Sequence, residues 1–417
     1  MKKLFAIALI ALLAMAVVFA GGESEAKDDE NAPIKIGAMY ALSGSNAAIG
    51  TNIMRGVDFA VEMINNQGGV NGRMIEIVRG DTQGDAKVGR SVAERLITQD
   101  GVKAILGCHQ STITQIVAQV CEQYQIPEIT AISTVDNLST FGFKYFFRMC
   151  PMNSLYVENQ FMYLEDLAQQ TGKEIKRLAI FADNSNIGQE LIRCARIFAP
   201  DYGMEIVAEI QYSSGATDLT SEVLALRNSN PDAVLCESYI SDAILLTKTL
   251  KEQNCQPPVI VAKANGFADP SYIPATEGIS NGIASVVEWN PDLTKGQDIN
   301  AAFKEKYGVD MNGHSAESFT AIWILKTAFE QAGTTDGPKV RDALAALDIQ
   351  GSFPNGPEII LPYDRIKFGD MQVGDVAHTQ NNIYASVAIA QIQDGAYKTV
   401  WPFEFSSTEV QYPAQYK

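Results

Sequence analysis

From Ile34 onward, short apolar runs alternate with longer amphipathic stretches, and the alternation passes through the chain twice. Ile34 to Met39 reads as a strand. Ile53, Val57, Ala60, Val61 and Ile64 then share one stripe of a helix that Gly68 and Gly69 stop. Met74 to Val78, Val102 to Leu106 and Ile126 to Thr130 are further strands, separated by helices over Lys87 to Gln99 and Ile113 to Tyr124. After a run at Tyr145 to Met149 the series restarts. Helices over Leu155 to Gln170, Gly188 to Phe198, Asp218 to Asn228 and Asp242 to Gln253 interleave with strands at Leu178 to Ala182, Glu205 to Ile210, Ala233 to Cys236 and Val259 to Ala262. Strands that run in one direction need a crossover of helix length, so this order predicts an α/β fold with parallel strands and helices on both faces. With 417 residues the chain exceeds what one core usually reaches, and two doubly wound lobes are expected.

A run at Ile283 to Val287 and helices over Ala316 to Ala332 and Pro338 to Leu347 follow, then a stretch rich in Gly, Pro and Asp. The chain ends on apolar runs at Ile383 to Ile392 and Tyr397 to Trp401. They are joined by Asp394-Gly395, which reads as a hairpin. If the run and the two helices return to the first lobe, the chain crosses between lobes more than once, which makes a hinge.

At the other end, Lys2 and Lys3 precede an uncharged apolar run from Leu4 to Ala20, followed by Gly21 and Gly22. This is the layout of a secretory signal over residues 1–20, cleaved after Ala20. A membrane anchor is the alternative. The run is at the short end of what spans a bilayer, however, and small residues follow it where anchors carry interfacial aromatics and Lys or Arg. Residues 21–32 are too polar to bury anything and read as a flexible leader, with structure beginning near Pro33 in an exported chain. The formal charge of −17 argues against a nucleic-acid partner.

Enzyme signatures do not assemble. Neither a Walker-type phosphate loop nor a Gly-x-Gly-x-x-Gly after the first strand is present. Gly278-Ile279-Ser280-Asn281-Gly282 matches Gly-x-Ser-x-Gly, but a β-like run follows where a nucleophile elbow needs a helix, so it reads as a turn. His109, His314 and His378 are scattered and read as surface or packing residues. The six cysteines have no Cys-x-x-Cys spacing; they are either buried thiols or disulfide partners whose pairing the sequence leaves open. No metal and no cofactor is expected.

Ligands of doubly wound sheets bind beyond the carboxyl ends of the strands, where helix N-termini present unpaired N–H groups. One such exit is Gly107 to Thr112, where Gln110, Ser111 and Thr112 open the next helix. They either cap it or donate to a ligand carboxylate. Ser133 and Thr134 place hydroxyls at the adjacent exit. In the second lobe the exits hold Asp183, Glu237, Tyr239 and Asn265. The two acids can hold a cation, and Tyr239 offers an apolar face and a phenol.

Several motifs occur together: Ser43-Gly44 and Gly50 after the first strand, Gly68 to Arg73 before the second and Asp81 after it, Val102 to Gly107, Asn230 to Val234, and the Asp394-Gly395 hairpin. With them the mature chain resembles the branched-chain amino-acid family of solute-binding proteins for ABC importers, which has the periplasmic binding protein type I fold. The resemblance implies two Rossmann-like lobes with a three-crossing hinge. It divides the chain into an N-terminal lobe (33–148 plus 278–375) and a C-terminal lobe (149–277 plus 376–417). It further implies that Ser111 and the Ser133-Thr134 exit hold the carboxylate and ammonium ends of one small ligand, with Tyr239 on the opposite lobe. The implied protein is a monomer that captures an amino acid or a related carboxylate or amide for an inner-membrane ABC permease. Two departures matter. Asn265 stands where amino-acid-binding members place an acid for the ammonium, and Ile49 and Ile187 occupy places often aromatic. An ammonium buried without a carboxylate costs several kcal/mol. Either Glu237 or Asp183 therefore takes the role, or the ligand is not a standard α-amino acid, an aromatic acid being one alternative. A sensing subunit that signals through a membrane receptor is the other class open at this point.

Overall fold

The computed structural model describes residues 32–44, 46–263, 265–269 and 271–414. The signal expected over 1–20 and the leader over 21–32, apart from Ala32, lie outside the described residues. No described helix is long and apolar enough to cross a membrane.

In chain order the first series is β1 (Ile34–Tyr40), α1 (Ala47–Asn66), β2 (Ile75–Asp81), α2 (Ala86–Thr98), β3 (Ala104–Gly107), α3 (Ser111–Tyr124), β4 (Glu128–Thr130) and β5 (Phe146–Arg148). The second is α4 (Asn153–Thr171), β6 (Arg177–Asp183), α5 (Asn186–Phe198), β7 (Glu205–Tyr212), α6 (Thr220–Ser229), β8 (Ala233–Glu237), α7 (Ile240–Glu252), β9 (Ile260–Ala262), α8 (Tyr272–Ala275) and β10 (Ala284–Val287). Then come α9 (Gln297–Tyr307), α10 (Gly313–Ala332), α11 (Gly337–Ala346), β11 (Asp348–Gln350), β12 (Arg365–Val373), β13 (Val376–Asn382), β14 (Ala388–Gln393) and β15 (Ala396–Trp401).

These strands build two sheets, ordered β11-β12-β13-β5-β4-β3-β1-β2 and β15-β14-β10-β9-β8-β6-β7. The central strands are parallel and buried on both faces, as β1 and β8 show, and antiparallel strands close one edge of each sheet, β11–β13 in the first and the β14–β15 hairpin in the second. Asp394 and Gly395, both at positive φ, make the β14–β15 turn, as the sequence predicts. The Gly-x-Ser-x-Gly segment is also a turn. It leads into β10, and the Ser280 hydroxyl accepts a hydrogen bond from Thr276 at 2.7 Å.

Two of the expected crossings move. The resemblance places residues 278–287 in the first lobe, yet β10 pairs with β9 and β14 in the second sheet, so the second crossing follows Val287. The resemblance places residues 376–382 in the second lobe, yet β13 joins the first sheet through Asn381 and Arg148, so the third crossing follows Asn382. Both errors come from placing a boundary at a glycine-rich turn, when strand pairing decides. The β12–β13 hairpin also links the lobes, because Val373 near its tip packs into the core of the second.

Helix α10 is the first lobe's central post. Every residue from Ser315 to Phe329 is buried, and Phe319 and Trp323 are fully enclosed. Large side chains buried this completely contribute about 1.5–3 kcal/mol each. The six cysteines are buried and form no disulfide.

Glu128 on β4 is also fully buried, and neither carboxylate oxygen has a hydrogen-bond partner. Burial raises its pKa well above the ordinary carboxylate value. Its folded pKa is the higher one, so its favourable contribution is complete below the unfolded carboxylate pKa and is lost as pH rises toward the folded value. Glu128→Gln should therefore raise the melting temperature at pH 8 by several degrees and change it little at pH 4, measured by calorimetry.

Candidate functional site

The exits of β3 and β4 are tied together by one buried hydroxyl. Ser133 Oγ lies 2.6 Å from Thr114 Oγ1 and donates to the Cys108 carbonyl at 2.8 Å, while the Ser133 N–H donates to Thr130 Oγ1. Beyond it, the buried Arg148 guanidinium donates to the carbonyls of Thr134 and Val135 at 3.2 and 2.8 Å. These bonds hold Ser111, the first residue of α3, and Thr134 on the wall of one cavity of about 190 Å³. At the start of α3 the Gln110 carbonyl accepts from the N–H groups of Ile113 and Thr114, which leaves the Ser111 and Thr112 N–H groups outside the helical ladder.

The cavity lies between the lobes. The first lobe also supplies His109, Ile132, and His314 and Glu317 from α10; the second supplies Asn153 and Tyr156 of α4 and Lys263 after β9; Glu288 comes from the crossing after β10. Tyr156 donates to Glu288 at 3.0 Å. Glu317 is buried with Oε2 unpartnered, and burial first, then the Glu288 charge, raise its pKa well above the usual range. The rings of His109 and His314 meet at 5.2 Å. Burial, with the neighbouring His314, lowers the His109 pKa to about 4, and burial lowers that of His314, so both are neutral at pH 7. Lys263 and Glu237 form a buried ion pair at 3.3 Å.

Of the expected site residues, Ser111 and Thr134 line this cavity. Ser133 is the tie beneath it. Gln110 holds the N-cap position of α3, and Thr112 faces solvent. Ile49 on α1 packs against the first core, and Ile187 is half-buried on α5. Asp183 is buried at the end of β6 and accepts from the N–H and hydroxyl of Ser185. Asn265 opens a short 3-10 turn after β9. Tyr239 is 46% exposed at the start of α7, and the aromatic side chain on the opposite wall is Tyr156 instead.

The acids of the cavity are Glu288 and Glu317, not Glu237 or Asp183: Glu237 is engaged with Lys263, and Asp183 with Ser185. The histidines read as surface or packing residues include two that line the cavity. For His109 the signal was present, because it sits inside the β3 exit. Among the described residues no group of three or more His, Cys, Asp or Glu side chains is arranged to hold a metal.

The lining of this cavity therefore combines the hydroxyl-bearing Ser111, at the start of α3, and Thr134 with the carboxyl-bearing Glu288 and Glu317. The Leu/Ile/Val-binding protein homolog 7 of Brucella suis is 28% identical over 428 residues, covering 99% of each chain. The solved structure of a putative branched-chain amino acid ABC transporter from Silicibacter pomeroyi has the same fold, with a TM-score of 0.77 at 20% identity over 91% of this chain and 99% of that one. The isoleucine complex of the substrate-binding protein LivJ from Streptococcus pneumoniae gives 0.65 at 22% identity, over 88% and 97%. The family model described as periplasmic binding protein matches residues 33–382. With the two-lobed type I fold around a cleft, that match settles the assignment: the chain belongs to the periplasmic binding protein family of solute-binding proteins.

Proposed function

We propose that this protein is the periplasmic receptor of an ABC importer, capturing an amino acid or a related small carboxylate or amide between its lobes and delivering it to an inner-membrane permease. The observation that carries this reading is the meeting, in one interlobe cavity, of Ser111, Thr134 and the α3 N-terminus with Glu288 and Glu317. A ligand carboxylate takes the hydroxyls and the helix terminus, where partial positive charge favours an anion. An ammonium takes the two acids, which the loss of an acid at Asn265 left without an obvious partner in the sequence. The ligand touches both lobes only when they close, so its differential contacts shift the open–closed equilibrium.

Native mass spectrometry of the purified protein should detect a co-purified solute. A thermal-shift panel of amino acids, carboxylates and amides should find a stabilising one, worth about 2.7 kcal/mol at 100-fold over Kd. A panel without a single shift, together with an empty native spectrum, counts against the reading. The double variant Ser111→Ala/Thr134→Ala should bind the identified solute about 100-fold more weakly, each lost hydrogen bond to a charged group accounting for about tenfold. Its melting temperature without ligand should stay within a few degrees of wild type, because the ties beneath the site run through Ser133 and Arg148.

A further inference from the structure

The second lobe's wall carries a feature that an aliphatic side chain cannot use. Strands β8 and β9 pair in parallel with Cys236 opposite Ala262, so the next residues, Glu237 at the end of β8 and Lys263 just past β9, stand side by side. The Lys263 N–H donates to the Cys236 carbonyl at 2.8 Å, which fixes the backbone there. Glu237 is fully buried and holds the Lys263 ammonium at 3.3 Å, and Lys263 lines the cavity while 4% exposed. The lysine is thus placed by a buried carboxylate at the ligand's second-lobe face. The rest of the cavity matches it: among the described lining residues Ile132 is the one aliphatic side chain.

We propose that Lys263 is the specificity residue of this cleft and that the bound solute presents an oxygen-bearing end to it, making the ligand an amide- or carboxylate-ended amino acid and not leucine, isoleucine or valine. This rests on the receptor reading above. With the ligand's α-carboxylate at Ser111 and Thr134 and its ammonium at Glu288 and Glu317, the remaining part of the molecule faces the second lobe. There a carbonyl or carboxylate oxygen accepts from Lys263. An aliphatic side chain instead takes water away from Lys263 and returns no hydrogen bond. Sites built to bond a polar group discriminate strongly against analogues that lack it. A cationic side chain such as that of L-lysine meets the Lys263 charge and is disfavoured as well.

Calorimetric titration of the purified, ligand-stripped full chain with L-glutamine, L-asparagine, L-glutamate, L-aspartate, L-leucine, L-isoleucine, L-valine and L-lysine tests this. At least one oxygen-ended amino acid should bind at least about 100-fold more tightly than any of the three aliphatic ones. The double variant Lys263→Met/Glu237→Gln removes both charges, so neither is left buried without its partner, and should lower that ratio at least about tenfold. Leucine, isoleucine, valine or lysine binding wild type as tightly as the best oxygen-ended ligand overturns the inference and leaves the receptor reading standing. Full wild-type discrimination in the double variant overturns the role of Lys263. Binding of none of the eight overturns the inference, and the thermal-shift panel over carboxylates and amides then decides the receptor reading separately. If the double variant fails to fold, the wild-type ratios decide.

Discussion

Gly56→Ala should destabilise the first lobe by about 4 kcal/mol or more, an unusually large effect for adding one methyl group. Gly56 lies in α1 where that helix meets α10, and a Cβ there would stand 2.1 Å from the Ser315 carbonyl oxygen and 2.9 Å from its Cα. Those are backbone atoms of a buried helix, so no side-chain rotation relieves the clash and one helix has to move. Helix α10 carries His314 and Glu317 into the cleft, so the same displacement should weaken ligand binding even below the melting transition. Gly142→Ala is the comparison. Its Cβ meets nothing within 4 Å, and positive φ alone sets its cost at about 1 kcal/mol. Calorimetry should show the first-lobe transition falling sharply for Gly56→Ala and slightly for Gly142→Ala. Equal small shifts in the two would mean that the α1–α10 contact yields more easily than its geometry indicates.

That contact shows why parts of the molecule are readable from sequence and others are not. The twofold winding is legible because parallel sheets impose short apolar strands and amphipathic helices, and α1 announces itself by the stripe from Ile53 to Ile64. Ser111 and Thr134 are legible for the same reason, since a strand exit followed by a helix start is a local pattern. The β12–β13 hairpin is not. It buries His378, Asn381 and Asn382: His378 and Asn382 bond to the neighbouring loop and strand, and Asn381 Nδ2 to Thr379 of its own strand, so polar side chains stand at buried positions and the alternation is masked. The acids of the cleft are hidden by two different causes. Glu317 sits in a helix buried on every side, where no polar face marks an exception. Glu288 belongs to a crossing whose lobe depends on whether β10 pairs with β9 or returns to the first sheet. Lys263 follows its strand by one residue, and only the register with Glu237 gives it meaning.

Glu317→Gln should lower affinity for an ammonium-bearing ligand by roughly 10²- to 10⁴-fold, and should leave the ligand-free protein about as stable as wild type at pH 4 and more stable at pH 8. Glu317 is buried beside Glu288, and its pKa is raised well above the ordinary carboxylate value. Its favourable contribution to folding is therefore complete below the unfolded carboxylate pKa and is lost as pH rises through its folded value. Glutamine, neutral throughout, has no such loss. A bound ammonium reverses the preference, because a positive charge nearby favours the ionised carboxylate. Capture then releases a proton from Glu317, and wild-type affinity should rise with pH until Glu317 is already ionised before the ligand binds. Removing one partner from a buried charge pair costs about 3–5 kcal/mol, which sets the size of the affinity loss. Titration of wild type in two buffers of different ionisation enthalpy measures the proton release directly, and Glu317→Gln should abolish it. A pH-independent wild-type affinity, with no proton released on binding, would place the ligand's ammonium away from Glu317.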